Sequence, residues 1–253
     1  MTEPRDLMGG LAKGLAVIES FSADHPRQAI AQVAARTGLD RATARRCLLT
    51  LAEHGYADYD GKFFTLTPRV LRLGTGCLAA MPLPLIAQPL LDRLSDELGE
   101  SSSVSILDGS EIVYVARAAQ RKVMSIALMP GSRLPAFCTS MGRVMLAALS
   151  EAERREALEA APLLPRTPHT LTDPQGVLEE LGRVRTQGFA LIDGEVEVGL
   201  RSIAVPVLDA RGRTVAALNT GMAAVAAETM EAMRARCLPA LLAVQAELRS
   251  VLR

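Results

Sequence analysis

The stretch of residues 27–55, RQAIAQVAARTGLDRATARRCLLTLAEHG, constrains the fold of this chain more than any other. Two short helical patterns meet at the sequence TGLD, where Gly38 permits a left-handed turn. Asp40 can then accept hydrogen bonds from the free N–H groups at the start of the next helix. Ala34, four residues before Gly38, is small enough for the second helix to cross closely. This spacing predicts a helix-turn-helix.

The second helical pattern predicts one buried and one exposed side. The predicted buried residues are Ala44, Leu48, Leu51 and Ala52. The opposite side of this helix carries Thr43, Arg46 and Thr50. We expect these three side chains to face the major groove of DNA. Arg41 and Arg45 lie toward the flank of the helix, where they can reach phosphates.

Positive charge is concentrated in this stretch. Residues 27–46 contain five arginines and one acidic residue, Asp40, whereas the whole chain carries 28 basic and 28 acidic side chains and no net charge. Such a balance excludes bulk electrostatic coating of nucleic acid or membrane, so any contact with double-stranded DNA must be local. The alternative is an ordinary helical hairpin with a solvated charged face.

The sequence YADYDGKFFTLTP follows directly, with Asp60-Gly61 between two runs rich in aromatic residues. Asp-Gly in that position is typical of a tight β-hairpin. A hairpin after a helix-turn-helix is a wing, and Lys62 at its tip is placed to reach a phosphate. A solvated turn lysine is the alternative.

Length and segment composition predict two domains. A chain of 253 residues exceeds a typical single domain. We predict a winged helix-turn-helix over residues 1–72, a linker over residues 73–83 and a ligand-binding domain over residues 84–253. The linker segment predicts a short helix whose apolar face can pair with a second copy of the chain.

Several classes of protein are excluded. The four cysteines and three histidines are scattered, which predicts neither a metal site nor a disulfide framework, and no cofactor is expected. The N-terminal sequence lacks the pattern of a signal peptide, which favours the cytoplasm. Residues 73–91 are uncharged, but Pro82, Pro84 and Pro89 would break a membrane-spanning helix.

The second half of the chain has the pattern of an α+β domain. Its β-like runs are SSVSIL, EIVYVARA and KVMSIALM, followed by residues 189–192, 201–208 and 214–220. Its helical patterns cover residues 84–98, 140–149, 150–160, 173–187 and 227–252, with a Pro/Gly-rich loop over residues 130–139. We therefore predict a mostly antiparallel sheet flanked by helices.

Three segments, in this order, resemble the IclR family of transcriptional regulators: TGLDRATARRCLLTLAEHGY, PGSRLPAFCTSMGRVMLAAL and GFALIDGEVEVGLRSIAVPV. The segment IVYVARAAQRKVMSIALMPGSRLPAFCTSMGRV is similar to the sequences of one branch of this family, the regulators of protocatechuate and 4-hydroxybenzoate breakdown. The resemblance implies an N-terminal winged helix, a linker helix that helps dimerisation and a C-terminal effector domain with a GAF-like sheet, assembled as a dimer or tetramer.

The resemblance also implies a site for a small carboxylate at the start of the helix that begins at Ser140. The backbone N–H groups of Ser140 and Met141 would receive the carboxylate, because free N–H groups at a helix N-terminus favour anions. It further implies that Asp193, Ser202 and Asn219 supply hydrogen bonds at the pocket wall. Arg133 is a second candidate for pairing with the anion, or it braces the loop.

We therefore predict a ligand-responsive DNA-binding regulator of a catabolic operon, with a small organic carboxylate as its effector, for which we expect an aromatic acid. A repressor with a non-aromatic acid as effector is one alternative. Another is a small-molecule-binding module or an enzyme that does not act on DNA. Ser140 lacks the Gly-x-Ser-x-Gly frame of a nucleophile elbow and has no histidine nearby in sequence, so we predict no catalytic residues.

Overall fold

The computed structural model describes residues 7–120, 128–224 and 228–252. Contacts divide the chain into two compact units, Met1–Ala80 and Met81–Arg253. The predicted linker, residues 73–83, therefore contributes most of its length to the first unit. Each unit has its own hydrophobic cluster.

The first unit is a winged helix-turn-helix, as predicted. Its helices are α1 (Gly9–Glu19), α2 (Ile30–Thr37), α3 (Arg41–Glu53) and α4 (Leu71–Ala80), with a 3-10 turn at Pro68–Val70. Its strands are β1 (Arg27–Gln28), β2 (Ala57–Tyr59) and β3 (Phe64–Leu66), paired antiparallel in the order β1-β3-β2.

The turn between α2 and α3 forms for the reasons seen in the sequence. Gly38 ends α2 in the left-handed region, with φ at 70°. The Asp40 side chain caps α3 by accepting a hydrogen bond of 2.8 Å from the Thr43 backbone N–H. Ala44 and Leu48 are fully buried, which confirms the predicted buried side of α3.

The wing is held by one carboxylate. Asp60 Oδ1 accepts backbone hydrogen bonds from Lys62 and Phe63, at 3.0 and 2.8 Å. Its Oδ2 binds the Arg27 guanidinium, whose central carbon lies 4.1 Å from the centre of the Phe63 ring. These contacts, with Arg27 foremost, lower the pKa of Asp60 to about 2. The sequence did not predict β1, which supplies Arg27 to this cluster.

The second unit is an antiparallel sheet covered by helices. Its strands are β4 (Ser101–Asp108), β5 (Glu111–Ala118), β6 (Arg133–Pro135), β7 (Ala190–Asp193), β8 (Leu200–Leu208) and β9 (Thr214–Ala223). Its helices are α5 (Pro82–Leu98), α6 (Ser140–Ala148), α7 (Glu151–Glu159), α8 (Pro174–Gln187) and α9 (Met230–Val251). The strand order is β6-β5-β4-β9-β8-β7.

Successive residues of β8 and β9 are buried, so both faces of this sheet are covered. Helix α6 packs on one face with α8 behind it, and α5 and α9 contact the sheet and each other. This arrangement confirms the predicted α+β class. The predicted run KVMSIALM lies mostly outside the described residues, and β6 forms beside β5 in a stretch that was expected to be loop.

Among the described residues, no single helix has the length and apolar composition needed to cross a bilayer. The helical segments Pro68–Cys77 and Pro82–Leu98 meet those criteria only when taken together, across a sharp bend.

Gly38→Ala should destabilise the first unit by about 1–2 kcal/mol, the cost of placing a Cβ in the left-handed region. Gly74→Ala is the matched control, because Gly74 lies inside α4 with open space around its Cα. The control should be neutral or stabilising, since alanine favours a helix. Denaturant unfolding of both variants tests this, and equal midpoints would contradict it.

Candidate functional site

The outer side of α3 presents free cations. Arg41, Arg45 and Arg46 are exposed, and none of them pairs with a carboxylate in the described part of the chain. Thr50 is also exposed, and its hydroxyl donates a 2.8 Å hydrogen bond to the Arg46 carbonyl. Lys62 is exposed at the tip of the wing, its Nζ 5.1 Å from the centre of the Phe63 ring. Five of the six predicted DNA-contacting side chains are therefore available at the surface.

Thr43 is the exception, and the prediction that it faces outward is wrong. Its side chain is only 7% exposed. Thr43 lies one helical turn before Cys47, which packs against the core, so both share a partly covered stripe of α3. Ala42, which the sequence analysis did not single out, is exposed in the same first turn.

A cavity in the second unit lies between the sheet and the start of α6. It holds about 450 Å³ of space between atoms, part of it open to solvent. Its polar lining includes Tyr114, Arg117, Thr139, Ser140, Ser202 and Asn219. Its apolar lining includes Leu128, Leu134, Met141, Val196 and Leu200.

A bulge in β5 brings two of these side chains to the same face of the sheet. Ser103 pairs with Arg117, and Ser105 pairs with Tyr114, with the register shifting between them. Regular alternation would send Tyr114 and Arg117 to opposite faces, because they are three residues apart. The bulge inserts one residue and restores them to a common side.

Two polar atoms of the cavity's lining residues are buried without a hydrogen-bond partner: Nε of Arg117 and Oδ1 of Asn219. The Arg117 guanidinium donates one side-chain hydrogen bond, of 2.9 Å, to Ser103 Oγ. Burial lowers the pKa of Arg117, but a guanidinium remains protonated in proteins. The cavity therefore contains a cation that no carboxylate of the described residues neutralises.

The start of α6 is fixed tightly against the preceding loop. Thr139 caps it, with its hydroxyl accepting a 3.1 Å hydrogen bond from the Gly142 N–H. Ser140 Oγ lies 2.9 Å from Ser202 Oγ, which ties α6 to β8. A Cβ on Gly142 would lie 2.2 Å from the Ala136 carbonyl oxygen, so only glycine fits there.

A buried ion pair ties α6 to the loop between β7 and β8. Arg143 Nη2 lies 2.7 Å from Glu195 Oε2, and its Nε donates to the Phe137 carbonyl at 2.8 Å. The same carboxylate oxygen accepts from the Leu171 N–H at 3.0 Å. Glu195 precedes Val196, which lines the cavity, so this ion pair positions one cavity wall relative to α6.

Tyr114 places a neutral hydroxyl beside the cavity. Burial raises the pKa of Tyr114 to about 12, which keeps its phenol protonated at physiological pH.

Two candidate site residues lie away from the cavity. The prediction that Asp193 is at the cavity wall is wrong, and of the two roles predicted for Arg133 the structure shows the second. Arg133 is at the surface, 2.7 Å from both a Glu111 and an Asp108 carboxylate oxygen, so it braces the loop. Asp193 accepts a 3.0 Å hydrogen bond from Arg201 Nε at the end of the β7–β8 pair. In both cases a neighbouring charge on an adjacent strand already satisfies the side chain.

The remaining predicted effector contacts, Ser140, Met141, Ser202 and Asn219, all line the cavity. Arg117 and Tyr114 were missed, because no sequence signal reveals the bulge that orients them. Within the described residues, no group of three or more histidine, cysteine or acidic side chains is arranged to hold a metal ion.

Comparison with known proteins finds a matching family model for each of the two units. A model of the IclR helix-turn-helix domain matches residues 10–61, and a model of the C-terminal domain of bacterial IclR transcriptional regulators matches residues 75–248. The chain belongs to the IclR family. The first match covers α1 to the wing of this IclR-family chain, and the second covers the sheet with the cavity.

Individual relatives cover nearly the whole chain. The Pca regulon regulatory protein of Pseudomonas putida is 46% identical over 244 residues, covering 96% of this chain and 84% of the relative. The crystal structure of a transcriptional regulator from Rhodococcus sp. RHA1 is 43% identical, with a TM-score of 0.78, and covers 96% of this chain and 98% of that one.

A third relative is a solved effector domain. The inducer-binding domain of a double mutant of the PobR transcription factor from Acinetobacter, in complex with 3-hydroxybenzoic acid, is 36% identical. Its TM-score is 0.62, and the match covers 67% of this chain and 98% of that domain. The family and its helix-turn-helix make this chain a DNA-binding transcriptional regulator.

Gly142→Ala should destabilise the second unit by about 1–3 kcal/mol, because the added methyl group overlaps the Ala136 backbone and α6 must shift. Gly182→Ala on the exposed side of α8 is the control, since its Cα has no atom of another element nearby. It should be neutral or slightly stabilising. Thermal unfolding of the two variants distinguishes them, and an unchanged midpoint for Gly142→Ala would contradict the packing argument.

Arg46→Ala and Arg45→Ala should weaken DNA binding in different ways. Loss of a base contact by Arg46 should cost about 1–3 kcal/mol on specific DNA and leave the salt dependence unchanged. Loss of a phosphate contact by Arg45 should weaken binding to all sequences and reduce the salt slope by about one.

Fluorescence anisotropy at several salt concentrations, on DNA selected by the wild-type chain from a random library, measures both effects. Arg155→Ala, an exposed arginine on α7, is the matched control. If Arg46→Ala retains wild-type affinity and melting temperature, Arg46 is not a base contact.

Proposed function

We propose that this IclR-family regulator senses a small aromatic carboxylate through the cavity of its second unit and controls an operon for breakdown of aromatic acids. The main support for this proposal is that the guanidinium of Arg117 has no carboxylate partner among the described residues. A half-buried cation without a counter-ion is costly, and an anionic ligand removes that cost. Charge-assisted hydrogen bonds to a carboxylate are among the strongest that a guanidinium makes.

The apolar residues that line the cavity favour a ring attached to that anion. Leu134, Met141 and Val196 provide an apolar wall, and Tyr114 adds an aromatic face. The α6 N-terminus lies at the same cavity, where the Ser140 and Met141 N–H groups can contact a second polar group of the ligand. The names of the Pca regulon and PobR relatives support an aromatic acid as the effector.

The cavity favours binding without chemical conversion. Ser140 Oγ is hydrogen-bonded to another serine rather than to a base, and the lining residues of the described cavity include no histidine. A nucleophilic serine needs an adjacent general base. We therefore propose a sensor rather than an enzyme.

We further propose that the chain works as a dimer on DNA, with α3 of each copy in the major groove. Leu11 and Leu15 of α1 are 61% and 46% exposed, and Leu71 of α4 is 68% exposed. Exposed leucines on two helices of a small unit favour contact with a second copy. Paired helix-turn-helix units read half-sites related by the same symmetry.

Arg117→Gln should weaken binding of benzoate-type acids by roughly 10- to 150-fold, the loss expected for a charge-assisted hydrogen bond. Arg133→Gln is the matched control, because Arg133 is an exposed arginine of the same unit that lies outside the cavity. Isothermal titration with a panel of aromatic acids measures both variants.

Addition of the bound acid should also change the affinity of the wild-type chain for its DNA, since the effector must bias the DNA-binding form. If no aromatic acid binds, or if both arginine variants bind the acids equally well, the proposed effector class is wrong.

A further inference from the structure

The tip of the wing carries a cation that is placed to reach DNA and, close to it, a carboxylate. Lys62 and Asp60 lie two residues apart in the loop between β2 and β3, and both are exposed. A carboxylate on a surface that approaches phosphates opposes binding, because like charges repel within about one Debye length. The contacts of Asp60 give this carboxylate a role that offsets the repulsion.

The turn of the wing is secured within its own strands. Gly61 lies in the left-handed region, with φ at 98°. Asp60 Oδ1 accepts the backbone N–H groups of Lys62 and Phe63. The Tyr59 hydroxyl donates to the Gly61 carbonyl at 2.7 Å. These bonds fix the backbone of the turn, but none of these bonds joins the tip to a helix.

The second oxygen of Asp60 ties the tip to the helical part of the unit. Arg27 binds Oδ2 through Nε, at 3.2 Å, and through Nη2. Arg27 belongs to β1, which leads into α2. The next residue, Gln28, is buried, and its Nε2 donates to the Ser20 carbonyl at the end of α1 at 2.9 Å. One ion pair therefore connects the wing tip to the end of α1 and the start of α2.

One aromatic ring contacts both cations of the tip. The central carbon of the Arg27 guanidinium lies 4.1 Å from the centre of the Phe63 ring, and Lys62 Nζ lies 5.1 Å from the same point. Both distances allow a cation–π contact. Arg27 therefore holds the ring that the Lys62 ammonium contacts. We call Arg27, Asp60 and Phe63 the wing clamp.

Ordering the tip in advance lowers the cost of binding, because a side chain or loop that is already held loses less freedom when it meets its partner. Asp60 stays ionised at physiological pH, since its contacts, with Arg27 foremost, lower its pKa to about 2. An exposed ion pair adds little to folding stability. Loss of this ion pair should therefore leave the unit folded and change DNA binding.

We propose that the wing clamp holds Lys62 against the phosphate backbone of double-stranded DNA, so that the Asp60 carboxylate strengthens DNA binding. In this arrangement Lys62 contacts a phosphate, whereas Asp60 and Arg27 are positioning residues that act through it. The proposal goes beyond the effector site, because it does not depend on which ligand the second unit binds.

Asp60→Asn tests the sign of the effect. Asparagine keeps an oxygen that can accept the two backbone N–H groups, and Asn-Gly is a favoured hairpin turn, but a neutral amide cannot form the ion pair with Arg27. Charge alone predicts tighter DNA binding, because a negative charge is removed. The wing clamp predicts binding that is about two- to fivefold weaker, with a smaller salt slope because the Lys62 contact is lost.

Asp58→Asn is the matched control, since Asp58 is an exposed carboxylate of β2 in the same wing and lies outside the wing clamp. This control should bind DNA as tightly as the wild-type chain or slightly more tightly. Arg27→Lys is a second test that keeps the charge but removes the planar guanidinium, which makes the two-point contact and stacks on Phe63. Arg27→Lys should weaken binding, as Asp60→Asn does.

Lys62→Gln shows whether the wing clamp acts through Lys62. This variant should reduce the salt slope by about one. Adding Asp60→Asn to Lys62→Gln should cause no further weakening, because the side chain that the wing clamp positions is already gone. Fluorescence anisotropy of the full-length variants, at several salt concentrations on DNA selected by the wild-type chain, measures these effects. Titration to saturation gives the active fraction of each variant, so a folding defect is not counted as weaker binding.

Tighter binding by Asp60→Asn with a steeper salt dependence would overturn the proposal, because it would show that Asp60 keeps Arg27 from a phosphate. Equal binding by Asp60→Asn and Asp58→Asn would also overturn it. The same conclusion follows if Asp60→Asn still weakens binding in the Lys62→Gln background, or if Lys62→Gln alone leaves the salt slope unchanged.

Discussion

The effector unit depends on a charge that the fold leaves unpaired. Most buried or half-buried arginines in this unit are neutralised or fully bonded, as Arg143 is by Glu195 and the Phe137 carbonyl. Arg117 instead has one bond, to a serine, and a buried Nε without a partner. Strand pairing and the bulge in β5 hold this cation at the cavity, where its partial burial costs free energy. A site that is destabilised without its ligand gains the most from binding it.

The secondary structure could largely be predicted from the sequence because its signals are local. Gly38 and Asp40 specify a turn and a cap within four residues, and the Asp60-Gly61 hairpin needs only its own two strands. The short strands β1 and β6 were not predicted, because two or three residues are too few to show the alternation of a strand. They exist because longer partners in the sheet offer them hydrogen bonds.

The effector site was harder to predict, because its geometry depends on contacts between distant segments. The resemblance to the IclR family named Ser140, Met141, Ser202 and Asn219, and all four line the cavity. It was wrong for Asp193, whose charge is satisfied by Arg201 on the neighbouring strand. Arg133 pairs with Glu111 and braces its loop, which was one of the two roles predicted for it. The prediction that Thr43 is exposed was wrong for a related reason. A residue at the edge of a helical face is covered or exposed according to how its neighbours pack.

The ion pair between Arg143 and Glu195 has a consequence for altering what the protein detects. Glu195 anchors the β7–β8 loop through its own carboxylate, and the next side chain, Val196, faces the cavity without taking part in that anchor. In this loop, therefore, Glu195 forms the anchor and Val196 lines the cavity, so the two roles belong to different residues. Position 196 can be diversified in a library of engineered biosensors while the scaffold that supports it stays in place.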